Sequence, residues 1–277
     1  MKLKQEIISK MQKITFYIYH YFFLLLLIVI GLPVYAEDSV SDTFNITRQS
    51  KILPVTQTCA GDPWQHIVWV HVHDNEETAR QAALLTLNQI KQGCLVDFRH
   101  GGSREISIQT AEVSYQFDPN RIFTETGRNN ALKCRRGNCA GAREELGQEV
   151  RSFLDQYLIH VKLIVALHNN HPRGLSIRNY LPGGSMAQAI SQVAVSPDKD
   201  PHDFFYVTSR QAFDFLSSRD FNVVLQNNQD VHDDGSLSVW AARQQIDYIN
   251  AEGGTGNLIS QMAMLAAVQA YMQQYYY

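Results

Sequence analysis

Two runs, residues 67–70 and 161–167, are apolar almost throughout and stand out from a chain that otherwise mixes apolar and polar positions. Runs of this length, bounded by polar turns, predict buried strands. Each ends on polar residues: the first on His73-Asp74-Asn75-Glu76, the second on His168-Asn169-Asn170. Residues 77–92 then carry Ala79, Ala83, Leu87 and Ile90 at helical spacing, with Gly93 placed for a left-handed cap. Shorter strands are predicted at 94–99, 104–108, 204–207 and 222–226, and helices at 143–157, 209–217 and 258–273. Residues 237–242 and 245–251 read as extended, 128–143 as a surface loop, and the Gly-, Pro- and Ser-rich stretch 172–203 as a covering loop with little regular structure. Strands and helices interleave throughout. The expected class is therefore α/β, a three-layer α/β/α sandwich with a mostly parallel or mixed central sheet.

The N-terminus has a different pattern. Lys2, Lys4, Lys10 and Lys13 precede or flank an apolar run over 14–32, which ends at Val34-Tyr35-Ala36. A basic region, an apolar region and a small-residue cut site predict an export signal over 1–36, with an uncleaved membrane anchor as the alternative. Residues 37–63 read as a polar N-terminal arm, and 64–277 as a single catalytic domain.

Charge narrows the function classes. The chain has 24 basic and 27 acidic residues, a net −3, and four of the lysines fall in the export segment. Such a balance excludes a nucleic-acid or polyanion surface. Once the signal is removed, no membrane segment is expected. Cys59, Cys94, Cys134 and Cys139 make an even count in an exported chain, which favours disulfides over a cysteine zinc site. Cys134 with Cys139 and Cys59 with Cys94 is one of three possible pairings.

The chemistry sits at the strand ends, where α/β proteins build their sites. His73 and Glu76 offer an imidazole nitrogen and a carboxylate three positions apart across a tight turn, a pair suited to zinc. His168, at the end of the other apolar run, supplies a second imidazole if the two strands are parallel neighbours. A His/Glu/His set leaves a fourth position open, as a catalytic zinc requires. In Phe117-Asp118-Pro119-Asn120-Arg121-Ile122-Phe123, the Asp-Pro turn presents Asn120 and Arg121. Arginine is a planar fork for a carboxylate, and asparagine adds a donor.

His73-x-x-Glu76, Asn120-Arg121, His168 and the late Glu252, in that order, resemble the zinc carboxypeptidases and their wider clan, which includes succinylglutamate desuccinylase and aspartoacylase. The resemblance spans about residues 64–265 and is one of motifs, not of overall identity. It implies that His73, Glu76 and His168 hold one Zn2+ ion, that Asn120 and Arg121 bind a substrate carboxylate, and that Glu252 is the general base. It further implies that Arg104 steadies the oxyanion, with Arg99 and Arg128 as competitors. Tyr248 lies near Glu252 as a substrate-contacting candidate, although the family's mobile tyrosine has another spacing. Asn169-Asn170 departs from the small-then-aromatic pair that usually follows the second zinc histidine. The expected function is an exported, periplasmic or secreted zinc metallohydrolase. Its substrate is a small peptide or acyl amide with a free carboxylate, with cell-wall peptides as the nearby pool. Two alternatives are a deacylase of N-acyl amino acids and a non-catalytic peptide-binding protein on the same fold.

Overall fold

Strand β8, Leu163–Asn170, is the centre of the molecule. In the computed structural model, which describes residues 43–48 (backbone alone), 50, 52–63 and 66–277, Leu163, Val165 and Leu167 enter one core and Ile164 and Ala166 another. Side chains alternate across a strand, so a run that is apolar at every position has to be covered on both faces. That requirement fixes three layers.

The described elements follow in chain order: β1 (Thr43–Arg48), β2 (Val55–Ala60), β3 (Ile67–His71), α1 (Glu77–Ile90), β4 (Cys94–Phe98), β5 (Ile106–Gln109), β6 (Ser114–Phe117), α2 (Glu125–Ala131), β7 (Lys133–Arg136) and α3 (Cys139–Tyr157). After β8 come β9 (Ile190–Ala194), β10 (Phe204–Val207), α4 (Arg210–Ser217), β11 (Asn222–Gln226), α5 (Leu237–Arg243), β12 (Asp247–Gly254) and α6 (Leu258–Tyr275). Nine strands form one sheet in the order β1-β2-β4-β3-β8-β12-β10-β11-β9, and β5-β6-β7 form a second, antiparallel sheet. The large sheet is mixed. Its centre, β4-β3-β8-β12, is parallel, and antiparallel pairs flank it. Helices α1, α4 and α6 cover one face, where Ala79, Ala82 and Ala83 let α1 lie close to the sheet. Helices α3 and α5 cover the other. The fold is the expected α/β sandwich.

Several local expectations change. Residues 37–63 do not read as structure from sequence, yet 43–60 supply two strands, and Ile52, Leu53 and Val55 are buried in the second core. A polar strand such as Val55–Ala60 has too few apolar positions to show a period. Residues 237–242 are helical, not extended. A short run with apolar Leu237, Val239 and Ala241 fits either period, and Ser236 stands at the N-cap. Residues 128–143 hold α2, β7 and the start of α3 in place of a loop. The left-handed residue after α1 is Lys91 (φ 52°), with Gly93 also at positive φ (100°). Disulfides join Cys59 to Cys94, which face each other across β2 and β4, and Cys134 to Cys139. The export segment lies outside the described residues. Among those described, no helix is long and apolar enough to cross a membrane.

Candidate metal centre

The parallel pairing of β3 and β8 brings their C-terminal ends to one edge of the sheet. Beyond β3 the chain turns, with the Glu76 amide donating to the His73 carbonyl (2.9 Å), and α1 begins. His71, fully buried, holds this turn: its Nε2 faces the Glu76 carbonyl at 3.1 Å and its Nδ1 faces Asp97 Oδ1 at 2.8 Å.

His73, Glu76 and His168 converge there, all buried. His73 Nδ1 lies 3.0 Å from Glu76 Oε1, His168 Nδ1 lies 2.8 Å from Glu76 Oε2, and the two Nδ1 atoms are 3.1 Å apart. Ligand atoms about 2.0–2.2 Å from a tetrahedral ion stand about 3.3–3.6 Å from one another. The two Nδ1 atoms are within a few tenths of an ångström of that spacing, and each faces its own oxygen of Glu76.

The tautomers favour a cation as well. His73 Nε2 faces Asp118 Oδ1 at 2.8 Å, and a carboxylate there selects the Nε2–H form. Neutral His73 then turns the bare Nδ1 lone pair toward a carboxylate oxygen and another ring nitrogen. Only a proton or a metal cation relieves that contact. Burial disfavours the charged form of His73, but Asp118 and Glu76 outweigh it and raise its pKa. Burial also opposes ionisation of Glu76, and the two histidines outweigh it, holding this carboxyl well below its usual value. Asp118 is lowered in the same way: burial opposes the shift, and the hydrogen bond to His73 dominates.

Glu252 stands beside His168 across the β12–β8 pair, in register and on the same face of the sheet. Asn250 Nδ2 donates to its Oε1 at 2.9 Å. Burial raises the pKa of Glu252; the attraction of His168 offsets part of this, and the Glu76 charge adds to it. A cavity of about 630 Å³ opens from Glu252, walled by Asn120, Arg121, Tyr180, Tyr206 and Tyr248. The three donors are buried and do not line it.

The remaining candidates fall as follows. Arg104 reaches the cluster, with Nη1 2.8 Å from Glu76 Oε1 and Nη2 3.4 Å from Asp118 Oδ2. Its competitors go elsewhere: Arg99 pairs with Asp74 and Glu77, and Arg128 donates to the Ile122 carbonyl. Asn120 and Arg121 lie in a 3-10 turn at Pro119–Arg121 and reach the cavity. Asn120 Oδ1 accepts from the Leu237 amide, and Arg121 Nη1 is 3.6 Å from Asp234 Oδ2. Tyr248 reaches the cavity from within β12, where it is 2% exposed. It is a fixed wall, not a mobile side chain. Residues 175–189 supply part of the wall; the stretch 172–203, expected to be a loop, holds two 3-10 turns and β9, the edge strand beside β11.

Asp118 is the site residue that sequence reasoning missed. It reads as half of an Asp-Pro turn, and only β6, running straight into it, brings it to His73.

No family model and no curated protein matches the chain. Solved structures of similar fold include the succinylglutamate desuccinylase of Chromobacterium violaceum, 11% identical over 78% of this chain and 63% of that one, with a TM-score of 0.42. They also include the tripeptide-bound cell shape determinant Csd4 of Helicobacter pylori, 11% identical over 80% of this chain and 55% of that one, with a TM-score of 0.45. A third is the murein-tripeptide amidase MpaA of Escherichia coli O157, 12% identical over 78% of this chain and 86% of that one, with a TM-score of 0.41. These belong to the clan that the motifs resemble. Likeness at this level carries nothing about metal, activity or substrate.

Proposed function

We propose that this chain is an exported zinc-dependent hydrolase that cleaves an amide bond next to a free carboxylate. The observation that carries this reading is the convergence of His73 Nδ1, Glu76 and His168 Nδ1, which present three buried donors to one point beside Glu252. Zinc held there would supply Lewis acidity toward the scissile carbonyl and a ready nucleophile at neutral pH.

The protein's own groups divide the remaining work. Glu252 takes a proton from the attacking water and returns it to the leaving amine. A half-buried carboxylate with a raised pKa and no salt-bridge partner among the described residues suits that exchange. Asn120 and Arg121, in the cavity that Glu252 borders, hold the substrate carboxylate and set its register. Arg104, once drawn from Glu76, stabilises charge on the carbonyl oxygen. The exported location rests on the N-terminal pattern and on two disulfides, and it makes cell-wall peptides the nearest substrate pool.

Metal analysis and peptide assays test the reading together. The purified protein is expected to carry one zinc per chain and to release the last residue of short peptides. The same peptides with amidated C-termini should resist. A protein that binds no zinc, or that cleaves both peptide sets equally, would refute it. N-acyl amino acids in the same assay separate peptidase from deacylase.

A further inference from the structure

Helix α1 begins without help from its own N-cap. Glu76 occupies that position and makes no capping hydrogen bond, because its carboxylate is turned to His73 and His168. A capping side chain ordinarily meets the second or third amide of the helix. Here the third, Ala79 N, donates to Asn169 Oδ1 at 2.8 Å, from the end of β8.

Asn169 reaches further. Its backbone amide donates to Glu76 Oε2 at 3.1 Å. Its Nδ2 donates to the Gly253 carbonyl at 3.2 Å and to Gln261 Oε1 at 3.0 Å. Gln261, fully buried on α6, donates its Nε2 to the Ala251 carbonyl at 3.1 Å. Room for this pair depends on Gly253, where an added Cβ would stand 1.9 Å from Gln261 Oε1. Two carboxamides thus tie together the segments that carry Glu76, His168 and Glu252.

We infer that Asn169, backed by Gln261, is a positioning residue of the metal centre: it caps α1 in place of Glu76 and so leaves the Glu76 carboxylate available to the metal. This rests on the zinc reading above. It also accounts for the asparagine where the resemblance leads one to expect a small residue. In its absence, the Glu76 side chain, at the N-cap position, is the one whose place in the helix suits it to the Ala79 amide, and capping competes with ligation.

Zinc titration by calorimetry, with melting temperature measured alongside, tests the inference. Asn169→Ala is expected to weaken zinc binding at least tenfold. Ser209→Ala removes the N-cap of α4, which accepts from Ala212 N at 3.2 Å; it should lower the melting temperature yet leave zinc affinity within twofold. If Asn169→Ala does not fold, Gln261→Met is titrated instead, with about a threefold loss expected. Zinc binding within twofold of wild type in the folded variant overturns the inference and spares the metal reading. A wild-type protein that takes up no zinc removes both.

Discussion

Two buried histidine–carboxylate clusters lie next to each other, one between β3 and β4 and the other at the ends of β3 and β8, and their ring nitrogens are arranged differently. In one, His71 turns Nδ1 to Asp97 and Nε2 to the Glu76 carbonyl, while Arg80 Nε meets the other Asp97 oxygen at 2.5 Å. Each ring nitrogen has one oxygen acceptor of its own, a set that ring N–H donors close without a metal. In the other, His73 and His168 turn Nδ1 toward each other and toward Glu76. Its three groups face one another in a geometry that could hold a cation. Similar burial and the same histidine–carboxylate chemistry therefore separate into a strut and a candidate metal site, and what separates them is the direction in which the nitrogens point.

Removing one member from each cluster should give the widest contrast. Glu76→Ala or His168→Ala is expected to abolish zinc uptake and activity, a larger loss than the about 10–100-fold typical of outer partners. Asp97→Ala should instead cost about 3–5 kcal/mol of stability, as when a buried ion pair loses one partner, and leave zinc bound. Metal content and urea unfolding of both variants decide it. Loss of zinc in Asp97→Ala with its stability intact would erase the distinction.

Glu252→Gln should lower turnover by about 10²–10⁴-fold, the usual contribution of a general base, with zinc content unchanged. Turnover at the wild-type rate would remove Glu252 from the mechanism. Asp118→Asn is expected to weaken zinc binding by about 10–100-fold, because Nε2 of His73 then loses its charged partner. Competition with a chromophoric chelator reads that change.

The smallest effect is on pH dependence. The pKa of His73 is raised above 6.5, so in the metal-free protein its contribution to stability is whole below that value and is lost as pH rises through the raised one. Glu76 and Asp118 are lowered from 4.5 and 3.8, so their contribution is whole above those values and is lost as pH falls toward the lowered ones. Melting temperature after chelation should therefore decline on both sides of neutral-to-mildly acidic pH. Restored zinc should remove the alkaline decline, since the cation takes the place of the proton. Identical alkaline profiles with and without zinc would count against a metal at His73.

The sequence by itself determined the frame. Strand β8 and helix α1 carry their periods openly, and the polar residues that close each apolar run mark the edge where the site forms. His73, Glu76 and His168 stand out in sequence as strand-end polar residues, and the fold brings them together; Asn120, Arg121 and Glu252 enter through the resemblance, and they line one cavity. Strand β2, Val55–Ala60, and helix α5 were not legible, because a polar strand and a short alternating run carry no decisive period. Nor were Asp118, Asn169 and Gln261. A side chain that caps another element, or fixes a tautomer 45 residues away, leaves no trace in local pattern. Hydrophobic periodicity is a property of neighbours along the chain, whereas hydrogen-bond partners are chosen across it. Only the packed sheet could decide which histidine would be held shut and which left open to a metal.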